Sequence, residues 1–414
     1  MYKLLVVMAA CIPLNNKFVS WVMIPLAILW LIESSPKAKL ARLRQNRVNQ
    51  YLLGFSLLYF LYVVMVFNTE GMFGSQVALF KLQVKVSLLA IPLFFSTLDY
   101  SKFKPGLFKT IQKGFLTGCL LSSLFLLNLA VFQYFKQDSV DVFFYAKLSA
   151  FHHSSYLAMF MGMAILILAN WLLFGKNKNT FNKTAAIFLI LFFQFFIVLL
   201  SSKTGILAVL LIYLALPVYV WLKQKNRLRF SIVFSTLFIA ALLLSVVFSP
   251  VTAGRFDGAK ESLESESGNV KDKTLDSSTA RLKILECSFE IIKENPIFGV
   301  GTGDVFDELM KKYKEKEITH AIEQELNAHN QYLETYMAAG LLGFLLLVAG
   351  FVIPLYYAFS QRKMLYLMFL ILFFFSITFE SMFERQAGVI FYAFFNSVLF
   401  IYSFKGDTSN PELS

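Results

Sequence analysis

Charged residues are scarce in this sequence. They make up 15% of its 414 residues, whereas 57% are hydrophobic and 17% are aromatic, and the mean hydropathy is +0.63. Soluble domains are roughly one quarter charged and one half apolar. The shortage of charge therefore excludes an ordinary soluble domain and indicates that the lipid bilayer is the main solvent of this chain.

Cysteine is also rare, with three residues in the whole chain. Only Cys287 lies in the longest polar segment, residues 250–331. No disulfide can close within that segment, even in an oxidising compartment. We therefore expect the segment to fold through helices and through contacts with the membrane-embedded bundle.

Long apolar runs take the place of the missing charge. A spanning helix needs about 20 apolar residues, and twelve apolar runs follow one another along the chain, two of them short. We predict an all-α polytopic membrane protein with about twelve transmembrane helices. The first run is alternatively an export signal with Cys11 at its cleavage site, although Leu4 to Met8 is short for the apolar part of such a signal. The runs cover residues 3–14, 18–33, 50–67, 77–97, 113–134, 154–174, 184–201, 204–222, 229–249, 332–358, 364–380 and 386–404.

Basic residues occupy alternate loops, after the second, fourth, sixth, eighth and tenth runs. By the positive-inside rule, these loops and both termini are cytoplasmic. The net charge of +12 is then explained by membrane topology, and no nucleic-acid partner is expected. The predicted divisions are helices 1 to 9 in residues 1–249, a large periplasmic loop in 250–331, helices 10 to 12 in 332–404 and a cytoplasmic tail in 405–414.

The predicted periplasmic loop is acidic, with 16 acidic residues against 11 basic ones. Its first part, Arg255 to Asp276, is rich in Ser, Glu and Lys and is expected to be a mobile, solvated flap. Ser278 or Thr279 then caps a predicted amphipathic helix that ends at Asn295-Pro296. The apolar positions assigned to this helix are Leu282, Leu285, Phe289 and Ile292.

Two features of this loop are candidates for phosphate contacts. Arg281 lies in the first turn of the predicted helix and is either a pyrophosphate clamp or an ordinary surface arginine. Gly299 to Asp304, followed by a predicted helix to Lys316, either cradles phosphate with its backbone N–H groups or connects two helices tightly. The glycine spacing matches neither the dinucleotide nor the P-loop pattern, which favours the tight connection.

His329 lies where the polar loop enters the tenth apolar run. The positive end of the helix dipole and partial desolvation favour a neutral imidazole there, which is the form that accepts a proton as a general base. The alternative is a histidine that caps the helix at the headgroup boundary. Gly340 and Gly343, further along the run, are expected to serve close helix packing.

Other polar groups are predicted at the same outer face. The tight turn from Ser201 to Gly205 presents Lys203, which either snorkels to water or holds an anionic headgroup. Lys81 and Lys85, one helical turn apart, are interpreted as snorkelling side chains. The remaining outer-face residues of interest are His152, His153, His320, Glu380, Glu384 and Arg385.

These motifs resemble the O-antigen ligase and O-antigen polymerase superfamily of bacterial surface-polysaccharide membrane enzymes. The stretch from Arg281 through Asn295-Pro296-Ile297-Phe298-Gly299-Val300-Gly301 resembles the family's arginine, helix and NP-x-x-G-x-G pattern. His329-Asn330-Gln331-Tyr332-Leu333, with Gly340 and Gly343, resembles its HN-x-YL and G-x-x-G pattern. Ser202-Lys203-Thr204-Gly205 is similar to a third segment that reads Ser-Arg-x-Gly in the family, with lysine here in place of arginine.

The resemblance implies an enzyme that transfers a glycan from undecaprenyl pyrophosphate to an acceptor hydroxyl, without a metal or another cofactor. By carry-over, Arg281 and Lys203 hold the pyrophosphate and His329 takes the proton of the acceptor. Further candidates for substrate binding are His152, His153, Asn330, Glu380 and Arg385.

Three classes of function remain open: an enzyme of this superfamily, a carrier, and a purely structural membrane protein that would not depend on particular outer-face groups. Within the superfamily, a ligase uses lipid A-core as acceptor and a polymerase uses another lipid-linked repeat, and some relatives use proteins; we expect a ligase. A glycolipid flippase or transporter is less favoured, because such a carrier places ionisable residues near the middle of the membrane. Here the middles of the runs are almost free of charge.

Overall fold

A computed structural model of the protein describes residues 1–100, 106–175, 180–249, 251–252, 254 and 277–405. Within these residues the chain is all-helical. The predicted flap, Arg255 to Asp276, and nearly all of the predicted tail, residues 406–414, lie outside the described residues. The same holds for four of the basic residues that argue for cytoplasmic loops: Lys102, Lys104, Lys176 and Lys178.

The helices follow the predicted apolar runs closely. Their bounds are α1 (Tyr2–Cys11), α2 (Asn16–Glu33), α3 (Pro36–Gln45), α4 (Arg47–Gly54), α5 (Leu57–Val64), α6 (Gly71–Lys85), α7 (Ser87–Thr97), α8 (Leu107–Gln137), α9 (Tyr145–Leu148), α10 (Ser154–Phe174), α11 (Thr180–Leu199), α12 (Lys203–Lys223), α13 (Leu228–Val247), α14 (Ser277–Glu294), α15 (Val305–Glu315), α16 (Thr319–Glu323), α17 (Gln331–Ser360), α18 (Met364–Phe379) and α19 (Gln386–Lys405). Every predicted run thus coincides with helical structure.

Ten helical segments in the described part of the chain are long and apolar enough to cross a membrane. The chain is therefore a multi-pass membrane protein. The two short runs, 3–14 and 364–380, correspond to the shorter apolar helices α1 and α18. At 1.5 Å per residue, α1 extends only about 15 Å and α18 about 24 Å, against a hydrocarbon core of about 30 Å. The count of twelve spans stays a prediction.

Contacts between loops show which connections lie at the same end of the helical bundle. At one end, Arg42 donates hydrogen bonds to the Thr97 carbonyl, at 3.0 Å, and to Asp99, at 3.4 Å. The hydroxyl of Tyr219 donates to the carbonyl of Arg362 at the same end, at 2.7 Å. This is the end that carries the basic loops. The tight turn before α12 and the loops before α10, α17 and α19 contact one another at the other end.

The amphipathic helix α14 is present, but its buried face differs from the predicted one. Leu282 and Phe289 are exposed. The residues that pack inward are Ile284, Cys287, Ser288, Ile291 and Ile292. Ile284, Cys287, Ser288 and Ile291 recur at i, i+3, i+4 and i+7, so the inner face is rotated from the predicted one. Of the predicted positions, Ile292 is buried and Leu285 is partly buried. The helix also begins at Ser277, which makes Arg281 its fifth residue, one turn before Ile284 on the inner face.

Helix α17 is broken where the glycine-rich turn packs against it. Gly340 has a φ of +60°, which L-residues with a side chain rarely adopt. The backbone groups released by the break are bonded by the preceding loop, because Leu341 donates to the Pro296 carbonyl at 3.1 Å and Val300 donates to the Met337 carbonyl at 2.7 Å. Gly340 thus serves close packing against a loop, not against another helix as predicted.

Candidate active site

His329 is held in an unusual backbone conformation immediately before α17. Its φ is +45°, and its backbone N–H donates to the Asn327 side chain at 3.0 Å. The following residue, Asn330, caps the helix, since its side-chain oxygen accepts from the N–H groups of Tyr332 and Leu333 at 2.9 and 3.1 Å. The interpretation of His329 as the helix cap is therefore wrong, and its ring is available for other contacts.

The ring of His329 faces the carboxylate of Glu380. Nδ1 of His329 lies 3.3 Å from Oε1 of Glu380. Burial of this carboxylate raises its pKa, but the hydrogen bond and charge of His329, together with the charges of His153 and Arg281, lower it, and the net pKa of Glu380 is below its usual value. Glu380 is therefore ionised at neutral pH, and a carboxylate only accepts hydrogen bonds. In the neutral form of the imidazole, the proton is then on Nδ1, which leaves Nε2 as a proton acceptor.

His153 lies on the other side of the same carboxylate. Its Nδ1 atom is 3.8 Å from Oε2 of Glu380, beyond hydrogen-bond distance, and caps α10 by accepting from the N–H of Ser155 at 3.4 Å. Burial lowers the pKa of His153, and the charges of Arg385, His329 and Arg281 reinforce this against the opposing charge of Glu380. His153 is thus neutral at neutral pH. Of the two rings, only that of His329 is hydrogen-bonded to Glu380.

Arg281 brings a positive charge to this cluster from α14. It is half-buried, and its charge acts on both Glu380 and His153, lowering the pKa of each. The guanidinium therefore lies within electrostatic range of the residues around His329. Its place on the inner face of α14 differs from the solvated position of an ordinary surface arginine.

Lys203 begins α12 at the same end of the bundle. The preceding residue, Ser202, caps the helix by accepting from the N–H of Gly205 at 3.2 Å. A Cβ at Gly205 would lie 2.4 Å from the Cβ of Ala158, so the first turn of α12 packs directly against the first turns of α10, which follow His153. Lys203 is half-buried, and its position at the pyrophosphate stays a prediction.

The remaining candidates divide by their exposure. Arg385 is exposed, and its charge reaches His153. His152 is buried, with its ring edge-on to Phe160 at 5.5 Å between centroids, and burial lowers its pKa to about 4. Its burial gives it no direct access to a substrate. Asn330 has its side-chain oxygen committed to the helix cap, which leaves its amide N–H₂ for other contacts.

The glycine-rich turn, Gly299 to Asp304, is a tight connection between two helices, as its glycine spacing predicts. A Cβ at Gly299 would lie 2.3 Å from the Met337 carbonyl, and one at Gly303 would lie 2.2 Å from the Gly74 carbonyl. The adjacent cavity of about 700 Å³ is acidic, with Glu70, Asp304, Asp307 and Glu308 among its lining residues. An acidic lining disfavours phosphate, so we assign the turn no role in binding pyrophosphate.

Lys81 and Lys85 do not snorkel to water. Lys85 is buried and its Nζ lies 2.6 Å from Glu384, while Nζ of Lys81 lies 3.4 Å from Glu384 and 3.6 Å from Glu334. The snorkelling interpretation failed because the partner carboxylates are far away in sequence. A signal was present nonetheless: Glu334 is an acidic residue inside an apolar run, which usually requires a partner.

Residues 185–348 match the family model of O-antigen ligases. The matched segment runs from α11 into α17 and contains Lys203, Arg281 and His329. This match supports the resemblance to the O-antigen ligase and polymerase superfamily that the motifs indicate. Glu380 and His153 lie outside the matched residues and join the site only through the fold.

One relative illustrates how far sequence similarity extends. An uncharacterized protein of Haemophilus influenzae is 32% identical over 135 residues, which cover 32% of this chain and 33% of that protein. The match spans about a third of each protein.

Proposed function

We propose that the protein transfers a glycan from undecaprenyl pyrophosphate to an acceptor hydroxyl at the periplasmic face of the bacterial inner membrane, with lipid A-core as the acceptor. The observation that carries this proposal is the contact between His329 Nδ1 and Glu380 Oε1 at 3.3 Å, close to the charge of Arg281. His329 and Arg281 both lie in the segment that matches the family model. The site thus combines a proton acceptor, Nε2 of His329, with a cation, Arg281, at one end of the membrane bundle.

In the proposed reaction, the acceptor oxygen attacks the anomeric carbon of the donor sugar. The bond between this carbon and the pyrophosphate oxygen breaks, and its electron pair leaves with undecaprenyl pyrophosphate. The proton of the acceptor hydroxyl passes to Nε2 of His329, while Glu380 holds Nδ1–H and stabilises the imidazolium that forms. Arg281 and Lys203 stabilise the charge that develops on the leaving pyrophosphate.

The placement of the His329 site favours an enzyme over a carrier. The titratable residues of the site belong to loops and helix ends at one end of the bundle. A transporter would need a polar pathway near the middle of the membrane. An enzyme that acts on lipid-linked substrates needs its charges at the membrane surface, where the pyrophosphate lies.

The test is reconstitution of the purified protein with undecaprenyl-pyrophosphate glycan in vesicles, with lipid A-core and a second lipid-linked repeat as competing acceptors. A glycan product on lipid A-core supports a ligase. A product on the lipid-linked repeat identifies the alternative, an O-antigen or exopolysaccharide polymerase. Movement of intact glycolipid across the bilayer without a transfer product contradicts the proposal.

Two variants connect that activity to the site. His329→Ala should lower the transfer rate by about 10²–10⁴-fold, the range for a lost general base. Arg281→Ala should lower it by about 10–100-fold, as expected for a lost charged hydrogen-bonding group. Lys283→Ala is the matched control, since Lys283 is exposed on the same helix. Full activity in both site variants at normal protein level would overturn the catalytic assignment.

A further inference from the structure

Four ionisable side chains form a buried cluster beneath the candidate site. This lysine–glutamate cluster consists of Lys81, Lys85, Glu334 and Glu384. The exposed fractions of the four side chains are only 15%, 1%, 4% and 12% in that order. Glu384 contacts both lysines, and the two lysine charges outweigh the effect of burial and lower the pKa of Glu384 to about 2. The cluster thus brings two amino groups and two carboxyl groups together away from solvent.

Stability alone is a poor explanation for such a cluster. Removing charges from water is costly, and apolar side chains of similar volume stabilise a protein interior at least as well as buried ion pairs do. Unlike apolar contacts, buried ion pairs can specify which side chains contact each other and at what distance. The segments that the cluster joins therefore indicate what its ion pairs position.

Lys81 connects the two segments that carry the His329–Glu380 contact. Glu334 lies five residues after His329 in the same stretch of chain, and Glu384 lies four residues after Glu380 in the loop before α19. Nζ of Lys81 reaches both carboxylates, at 3.6 and 3.4 Å. One ammonium group thus holds the start of α17 and the loop before α19 at a fixed separation.

A second link joins the same two segments. The side-chain oxygen of Gln331 accepts from the backbone N–H of Phe383 at 2.6 Å, and its Nε2 donates to the Thr335 hydroxyl at 3.1 Å. That hydroxyl is 2.8 Å from the hydroxyl of Tyr62, whose ring lies 5.0 Å from Nζ of Lys85. The two links form one network anchored on α5 and α6.

We propose that Lys81 is a positioning residue that sets the distance between His329 and Glu380 by bridging Glu334 and Glu384. It touches neither the substrate nor the reacting atoms and acts through the two segments that it joins. This inference rests on the proposed function, because it assigns Lys81 a role in that same reaction. It also predicts that the effect of Lys81 on the rate depends on the presence of the Glu380 carboxylate.

The test is a double-mutant cycle on the transfer rate in reconstituted vesicles. Lys81→Met removes the ammonium and keeps a chain of comparable length, and Glu380→Gln removes the carboxylate that the bridge positions. Lys81→Met should lower kcat at least tenfold in the wild-type background, with the donor KM within twofold. In the Glu380→Gln background it should change kcat by less than twofold, because the contact it positions is already lost.

Three further variants separate positioning from folding. Lys81→Arg keeps the charge and should retain most of the activity. Lys81→Met with Glu334→Gln removes the unpaired carboxylate as well and should fold, yet remain slow. Lys316→Met, which breaks ion pairs to Glu286 and Glu290 on α14, is the control and should keep normal kcat.

The outcomes are distinct. An equal loss of kcat from Lys81→Met in both backgrounds overturns the positioning role while leaving the His329–Glu380 assignment intact. If neither Lys81→Met nor Lys81→Met with Glu334→Gln gives folded protein, the cluster serves folding alone, which also overturns the proposal. Unchanged activity in Glu380→Gln by itself contradicts the proposed function instead.

Discussion

Nδ1 of His329 and Oε1 of Glu380 are 3.3 Å apart, although 50 residues and the whole of α17 and α18 separate them in sequence. The contact depends on two loops that the fold brings together at one end of the bundle. A histidine paired in this way through Nδ1 presents Nε2 as its proton acceptor. The pairing therefore makes a specific expectation about Glu380 as well as about His329.

Replacing Glu380 by Gln should lower kcat for glycan transfer by on the order of 100-fold, because an amide neither fixes the Nδ1–H tautomer nor stabilises the imidazolium. The donor KM should change little, since Glu380 is not expected to hold pyrophosphate. Steady-state kinetics in reconstituted vesicles measure both constants. Glu323→Gln, at an exposed position in α16, is the control. A raised KM with unchanged kcat would instead make Glu380 a substrate-binding residue.

Local sequence patterns were sufficient to predict the helices. Apolar runs bounded by polar residues coincide with helical structure, and the helix predicted from Asp304 to Lys316 appears as Val305–Glu315 with Asp304 at its N-terminus. These features depend on residues that are near one another in sequence. The inner face of α14 was predicted only in part, because the inward stripe includes Cys287 and Ser288, which hydrophobicity alone does not select.

The site was predictable only in part, for the same physical reason. His329 and Arg281 stand out through motifs within a single stretch of chain. The pairing of His329 with Glu380 and the bridge made by Lys81 join residues that are 51 or more positions apart. The predicted topology placed these groups at the same face of the membrane, but it did not predict which carboxylate contacts which cation.

Lys203 occupies the position at which the similar family segment has arginine. Lys203→Arg should lower the donor KM by roughly two- to tenfold, because a guanidinium offers two parallel hydrogen bonds to phosphate where an ammonium acts as a point charge. Titration of the rate with donor lipid measures this effect. Lys223→Arg, at the opposite end of the same helix, should leave the donor KM unchanged. An unchanged or higher donor KM in Lys203→Arg would argue against contact with pyrophosphate.

Gly340 is the residue whose replacement should damage the fold most directly. A Cβ there would lie 2.0 Å from the Ile297 carbonyl oxygen, and its φ of +60° disfavours any L-residue with a side chain. We expect Gly340→Ala to destabilise the protein by about 2–4 kcal/mol or more, measured as a lower thermal unfolding midpoint in detergent.

Gly350 provides the matched comparison within the same helix. A Cβ added there meets nothing within 4 Å, so Gly350→Ala should be neutral or stabilise the protein by about 0.4–1 kcal/mol through reduced entropy of the unfolded chain. Equal unfolding midpoints for the two variants would show that the break in α17 is not required for the packing of the loop against it.

His152 should make the protein less stable in mild acid. Its folded pKa of about 4 lies below the usual value of 6.5 because burial disfavours the charged ring. The unfolded chain therefore binds one more proton than the folded protein between these values, and linkage requires stability to fall as the pH is lowered from about 6.5 toward 4. The stability associated with a neutral His152 is fully present above pH 6.5.

Replacing His152 by Phe should remove this dependence. The difference between the two pKa values corresponds to roughly 3 kcal/mol, which is lost in full only below pH 4. Thermal unfolding in detergent at pH 7.5, 6, 5 and 4.5 should show a smaller decrease in the unfolding midpoint for His152→Phe than for the wild type. His320→Phe, which alters a histidine in α16, should keep the wild-type slope. Parallel decreases in wild type and His152→Phe would mean that the ring of His152 becomes hydrated and charged without unfolding, and that its packing against Phe160 does not exclude water.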